Sequence, residues 1–277
     1  RDFARATEYF TEADRTYQEY HRDYGLQPED ETLIAGDHAK ILFNLGSLDY
    51  LHFAGVGMTD KDTEAFPDTR IYPDRNRGQE NEEMTQRRER LQHVRADLEK
   101  ALSQDLKDKW AKIDGTYWMG WIDYINGDFE GSLEQWETLD TIYSYSDPVL
   151  LLARANAYYY TDQHRAALGN YLKLETDYER RAMQTAHPDL NDPKHRDLYL
   201  TLAAIYNNIG AVYEKEYIEL SQRGGSRIAR QELEKNSLMY YWKAIQAAQK
   251  IGEESVRART NVQQAFKYIR PESGPER

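Results

Sequence analysis

The sequence contains no cysteine among its 277 residues. This absence excludes disulfide bonds, thiolate metal sites and cysteine nucleophiles. The seven histidines are scattered, and no two of them have the i, i+4 spacing with which one helix binds zinc. The sequence also lacks a phosphate-binding loop and any set of nucleophile, base and orienting residue. We therefore expect no metal, no cofactor and no enzymatic activity.

Positive charge is scarce relative to negative charge. The chain has 36 lysines and arginines against 48 aspartates and glutamates, a net charge of −12. Binding to nucleic acid needs clustered basic residues against phosphate, and anionic membranes attract polybasic segments. The composition thus argues against both of these classes. We expect a protein or peptide partner that is neutral to basic, with charge acting mostly on the association rate.

Long hydrophobic runs are missing as well. No segment has the length of apolar sequence that spans a bilayer, and no apolar signal core stands near the start. This predicts that the chain does not insert directly into a membrane. The composition suits a cytoplasm and a periplasm equally and leaves the compartment open. Because the sequence opens at Arg1 rather than at methionine, we expect an excised or processed piece.

Aromatic residues are plentiful, with 22 tyrosines and five tryptophans to supply buried apolar surface. No segment has the alternation typical of a strand. Apolar residues instead recur at spacings of three and four, the pattern of amphipathic helices, as in the helix predicted over residues 2–24. The fold class predicted from these features is all-α.

The stretch Thr116–Trp136 predicts two short helices that meet at a tight turn. Gly127 suits the end of the first helix because glycine adopts positive φ without strain. The Asp128 side chain can accept hydrogen bonds from the free N–H groups at the start of the second helix. Such a helical hairpin cannot bury its apolar face alone, so we expect it to recur along the chain.

The spacing of small and aromatic residues in this stretch resembles the tetratricopeptide repeat. Gly120, Ser132 and Trp136 take the family's two small positions and its aromatic position. The same pattern recurs at Ala155, Ala167 and Tyr171, at Gly210 with a second helix that follows an insertion, and at residues 44–50. The matches cover roughly two-thirds of the chain. The resemblance implies a right-handed superhelical solenoid of antiparallel helix pairs.

The implied organisation is a single repeat domain over residues 1–270. Its predicted parts are the N-terminal helix 2–24, an irregular insertion over 54–82, the best repeats over 115–180, a divergent repeat over 195–250, a capping helix over 253–269 and a disordered tail over 271–277. The insertion is expected to act as a flap over the binding surface or as a mobile tether. Asp49 and Asp123 hold equivalent repeat positions, which suggests a shared structural role.

In proteins that this chain resembles, the first helix of each repeat lines a concave groove that binds a partner. The positions carried over are Phe43, Tyr50, Tyr117, Trp121, Tyr124, Leu152, Asn156, Tyr159 and Asn207. Trp121 is expected to point toward the groove, since it lies about 100° around the helix from Gly120, which faces the paired helix. For the tyrosines, groove and core positions are both left open because helical spacing alone does not separate the faces.

The function predicted from these observations is a non-catalytic scaffold that binds a peptide, a helix or a partner domain. Two alternatives stay open. One is self-assembly, as a homo-oligomer or as a structural module of a larger complex. The other is an accessory subunit that binds a small molecule. An open aromatic groove would favour a peptide, and a closed pocket with converging polar groups would favour a small molecule.

Overall fold

The computed structural model describes residues 3–24, 38–44, 82–103, 108–144, 148–185 and 192–252. The helices are α1 (Phe3–Tyr24), α2 (Glu82–Ser103), α3 (Lys109–Asn126), α4 (Phe129–Tyr143), α5 (Pro148–Tyr160), α6 (His164–Gln184), α7 (Pro193–Gln222) and α8 (Arg227–Gln249). Residues 38–44 are helical too, and no strand occurs in these ranges. The all-α prediction is confirmed there. Within the same ranges, no helix combines the length and apolar character needed to cross a bilayer.

Several predicted features lie outside the described residues. They are the insertion over 54–82 except Glu82, which begins α2, the capping helix over 253–269, the tail over 271–277, Asp49 and Tyr50. The chain divides into two compact units, the first holding α1–α4 and the second α5–α8. The single repeat domain over 1–270 stays a prediction.

The hairpin of α3 and α4 has the turn that its sequence predicts. Gly127 ends α3 in the left-handed region, with φ of 82°. The Asp128 carboxylate then accepts a hydrogen bond from the Gly131 N–H at 2.9 Å and caps α4. At the other end of α3, Asp108 accepts from the N–H of Trp110 at 2.8 Å. These caps satisfy backbone donors that a helix start leaves free.

In the α3–α4 and α7–α8 hairpins, a small residue of one helix lies against an aromatic ring of the next. A Cβ atom on Gly120 would lie 2.1 Å from Trp136 Nε1, and one on Gly210 would lie 2.7 Å from Tyr241. Such distances leave no room for any side chain but hydrogen. In the hairpin between these two, Ala155 and Tyr171 are both fully buried in one cluster. The close approach of the paired helices therefore depends on small residues at these crossings.

We expect Gly120→Ala to lower the free energy of unfolding by about 1–3 kcal/mol, because the added methyl overpacks against Trp136. Gly169→Ala is the matched control, since it is also helical but a Cβ there meets no atom within 4 Å. It should stabilise the protein by about 0.5–1 kcal/mol, the usual gain of alanine over glycine in a helix. Urea unfolding of both variants measures the difference. Equal effects of the two substitutions would contradict the close helix contact.

Helix α7 is the centre of the second unit. Its residues 202–212 are buried without interruption, so the helix is covered on every side, and its main neighbours are α6 and α8. It begins at Pro193, two residues before the start of the divergent repeat predicted over 195–250. The reason is local: Asp192 caps the helix by accepting from the Lys194 N–H at 2.9 Å, and proline suits the first helical turn.

Candidate functional site

Trp121 lies in the helix core, which corrects its expected orientation toward a groove. Its side chain is 2% exposed, and its ring packs edge to face on Trp136 at 5.3 Å between centroids. The reason is that residues 119–124 of α3 are all buried, so the helix has no exposed face at this level. A side chain that lies 100° around the helix from Gly120 therefore still contacts neighbouring residues and does not reach solvent.

Two tyrosines of the predicted groove belong to the same aromatic group. Tyr124 is buried and lies 5.7 Å from the Trp121 ring and 5.3 Å from Phe129. Both a groove position and a core position were left open for Tyr124, and in the structure its side chain lies in the core. Tyr117 is partly buried, 6.1 Å from Trp121.

The predicted groove residues of α5 and α7 include three that are buried. Leu152 packs in the hydrophobic core of the second unit. Asn156 is fully buried and accepts two hydrogen bonds through Oδ1, from the Tyr171 hydroxyl at 2.5 Å and from Asn208 Nδ2 at 3.1 Å. Asn207 is also buried and donates to Asn208 Oδ1 at 3.4 Å. The expected exposure of these three side chains is therefore wrong. Asn156 joins α5 to α6 and α7 through its two hydrogen bonds, and Leu152 packs in the core.

Tyr159 and Phe43 are only partly buried. The Lys215 ammonium lies 5.0 Å from the centre of the Tyr159 ring, a cation–π contact. Phe43 stacks on Trp118 at 5.6 Å between centroids. Whether any residue of the predicted groove binds a partner stays a prediction.

Asp123 has a structural role through an ion pair, and a role shared with Asp49 stays a prediction because Asp49 lies outside the described residues. The buried Asp123 carboxylate accepts from Arg95 Nε on α2 at 2.5 Å. Burial raises the pKa of Asp123 above its ordinary value, although the Arg95 hydrogen bond and charge oppose that rise. This pair joins α2 to α3.

The described residues contain an open cavity of about 300 Å³ between α6, α7 and α8. We call it the three-helix cleft. Its lining residues are Glu179, Ala182, Met183, Tyr199, Leu202, Tyr206, Lys243, Gln246, Ala247 and Lys250. The lining combines apolar side chains with a few polar ones, the composition of binding pockets. Met183 at its edge is 79% exposed.

One side of the cleft is fixed by a polar network. Lys243 Nζ on α8 donates to Glu175 Oε1 at 2.8 Å and to Glu179 Oε1 at 3.3 Å, both on α6. The Tyr206 hydroxyl donates to Glu179 at 2.6 Å, and the Tyr240 hydroxyl donates to Glu175 at 3.1 Å. The Lys243 ammonium also lies 4.9 Å from the centres of both tyrosine rings. These contacts position the three helices around the cleft.

The two tyrosines and the lysine of this network are held in their ordinary charge states. Burial, followed by the hydrogen bond to Glu179, raises the pKa of Tyr206 well above its usual value. Burial and the charge of Glu175 do the same to the pKa of Tyr240. Burial alone would lower the pKa of Lys243, but its contacts with the two glutamates raise it overall. A general acid or base works best with a pKa near the working pH, and these shifts lead away from neutrality.

Neither the cleft nor a second group of polar residues was predicted from the sequence. In that group, Asp162, His164 and Glu219 hold carboxylate and imidazole atoms within 4.8 Å of one another, a set able to hold a metal ion. Both sites join residues that are far apart in the chain, and no short motif marks them. The local signal was the i, i+4 spacing of Glu175 and Glu179, which indicates a shared helix face but not its partner.

Comparison of the chain with models of known protein families gives no match, and comparison with curated proteins gives none either.

Proposed function

We propose that this chain is a tetratricopeptide-like solenoid that acts as a non-catalytic scaffold for a peptide or helix of a partner protein. The repeat is supported by the small-on-aromatic contacts of Gly120 with Trp136 and of Gly210 with Tyr241. The buried pair Ala155 and Tyr171 supports it at the intervening hairpin. The pKa values of Tyr206, Tyr240 and Lys243, which are moved away from neutrality, support a binding role over catalysis.

The binding surface that we propose is the three-helix cleft rather than the predicted aromatic groove. The observation that carries this proposal is the cavity of about 300 Å³ with the exposed Met183 at its edge. Methionine is flexible and polarizable, and it is common on surfaces that bind peptides. Tyr199 and Tyr206 give the cleft a rigid aromatic floor.

The size of the cleft favours a peptide side chain over a whole small molecule. Sites for small molecules usually enclose about 300–1,000 Å³, and this cavity lies at the lower end of that range. Of its three lining charges, those of Lys243 and Glu179 balance each other. An apolar side chain of the partner should therefore provide most of the affinity. Lys250 at the rim lies over the Tyr199 ring at 5.5 Å.

Peptides selected by the full chain from a random displayed library should bind at the cleft. Met183→Arg should weaken the selected peptides by at least about tenfold, because it places a charge at the apolar entrance. Ile228→Arg is the matched control: Ile228 is 77% exposed on α8 but does not line the cleft. Its peptide affinity should stay within about twofold of the unmodified chain. Fluorescence titration with each peptide gives both values.

Three outcomes would contradict this proposal. Peptides that bind Met183→Arg as tightly as the unmodified chain would place the site elsewhere. A library that yields no binder would argue against a peptide partner. A selected small molecule that binds in the cleft while no peptide does would favour the accessory-subunit alternative.

A further inference from the structure

The turn between α5 and α6 brings two potential metal ligands close to a third on α7. Asp162 has a φ of 60°, a left-handed conformation that aspartate tolerates better than most residues. His164 is the first residue of α6. Its Nε2 lies 3.9 Å from Asp162 Oδ1 and 3.7 Å from Glu219 Oε1. The three ligand atoms thus converge from two segments of the chain.

The His164 side chain provides a separate observation that points to a ligand. It is 9% exposed, and its Nε2 is a buried nitrogen without a hydrogen-bond partner. Leaving a buried polar atom unsatisfied is unfavourable, so such an atom calls for an explanation. Both carboxylates face this nitrogen at distances that are too long for a hydrogen bond.

The same distances suit an ion placed between the three atoms. Zinc binds histidine nitrogen and carboxylate oxygen at about 2.0–2.2 Å, so tetrahedral ligands lie about 3.4 Å apart. The separations of 3.7 and 3.9 Å from His164 exceed that value by only a few tenths of an ångström. Small side-chain rotations would close the gap.

We propose that Asp162, His164 and Glu219 bind one divalent transition-metal ion of the zinc class. His164 Nε2 and one oxygen from each carboxylate are the protein ligands, which leaves a fourth position for water or a partner's side chain. The imidazole favours zinc over calcium or magnesium, which prefer oxygen ligands alone.

Two neighbouring cations, Lys215 and Arg223, contact the carboxylates of this site. Lys215 donates a hydrogen bond to Asp162 Oδ1, so the ion competes with the ammonium for that oxygen or binds through Oδ2. Arg223 lies 3.7 Å from Glu219 Oε2, which leaves Oε1 to face His164. The competition with Lys215 should make the site bind and release the ion readily.

Titration of the full, chelator-treated chain with Zn²⁺ in a calorimeter tests the proposal. We expect one equivalent to bind, and His164→Gln to lower the affinity at least about tenfold, because even outer-shell changes have effects of this size. Glu219→Gln should lower it similarly. His195→Gln is the matched control: His195 Nε2 also lies 3.9 Å from an aspartate, Asp192, but belongs to no three-ligand group in the described residues. Its affinity should stay within about twofold.

Co²⁺ gives a readout of geometry, since a four-coordinate ion absorbs much more strongly in the visible range than a hydrated one. This absorption should appear with the unmodified chain and be lost in His164→Gln. Equal losses of Zn²⁺ affinity in His164→Gln and His195→Gln would overturn the proposal, as would unchanged affinity in both ligand variants. If His164→Gln fails to fold by circular dichroism, Glu219→Gln decides, because its side chain is partly exposed.

Discussion

Replacing Trp121 with alanine should lower the free energy of unfolding by about 3–5 kcal/mol, the usual effect of removing a buried tryptophan. The ring is 2% exposed and contacts the aromatic rings of Trp136, Tyr124 and Tyr117. The cavity left behind would not collapse easily, because Trp136 itself fills the space above Gly120. Urea unfolding followed by circular dichroism measures the change.

Trp110→Ala is the matched control for this experiment. Trp110 belongs to the same helix, α3, but is 69% exposed. Its replacement should change the free energy of unfolding by no more than about 0.5 kcal/mol, as is usual for exposed positions. Similar losses for Trp110→Ala and Trp121→Ala would refute the core position of Trp121.

The second large effect is expected at the ion pair of Arg95 and Asp123. Arg95→Met should lower the free energy of unfolding by about 3 kcal/mol at neutral pH, because it leaves the Asp123 carboxylate buried without its cation. This value is at the low end for broken buried pairs, since Arg95 remains partly exposed to solvent. Arg95 also pairs with Glu99 at 3.0 Å, but Glu99 is exposed, so Glu99→Gln should cost less than about 1 kcal/mol.

The loss caused by Arg95→Met should depend on pH with a definite sign. Burial already raises the pKa of Asp123 in the folded state, and removing Arg95 removes the contacts that oppose this rise. A carboxyl group with a raised folded pKa adds stability while it is protonated and loses that stability as the pH rises through the folded pKa. The gap between Arg95→Met and the unmodified chain should therefore shrink as the pH falls from 7 toward the ordinary aspartate range. In an Asp123→Asn background, the stability difference caused by Arg95→Met should no longer depend on pH. A difference that grows as the pH falls would contradict the predicted direction.

What could be predicted from the sequence was mostly local. Gly127 and Asp128 specify the turn between α3 and α4 through backbone conformation and capping, which need only neighbouring residues. The orientation of the Trp121 side chain was predicted on the assumption that α3 has only one buried face. That assumption failed where residues 119–124 are all buried, because the number of neighbours around a helix is not encoded in its own periodicity.

The candidate site depends on contacts over long distances in the chain. Lys243 and Glu175, which fix one side of the three-helix cleft, are 68 positions apart. Each residue alone has the pattern of a solvated charge on a helix. Only the packing of α6, α7 and α8 brings Lys243 into contact with Glu175 and the tyrosine rings, so a single sequence could not predict the cleft.

The most direct test of the proposed binding site is methyl NMR of the full chain with labelled methionines. The sequence has five methionines, and each side chain gives one methyl signal. Among the methionines whose side chains the structure describes, Met183 is the one that lines the cleft. Titration with a peptide selected by the full chain should shift the Met183 signal and saturate at the affinity measured by fluorescence. Met119, buried in α3, and Met239, exposed elsewhere on α8, should keep their positions. A saturating shift of another methionine with Met183 unchanged would contradict binding at the three-helix cleft.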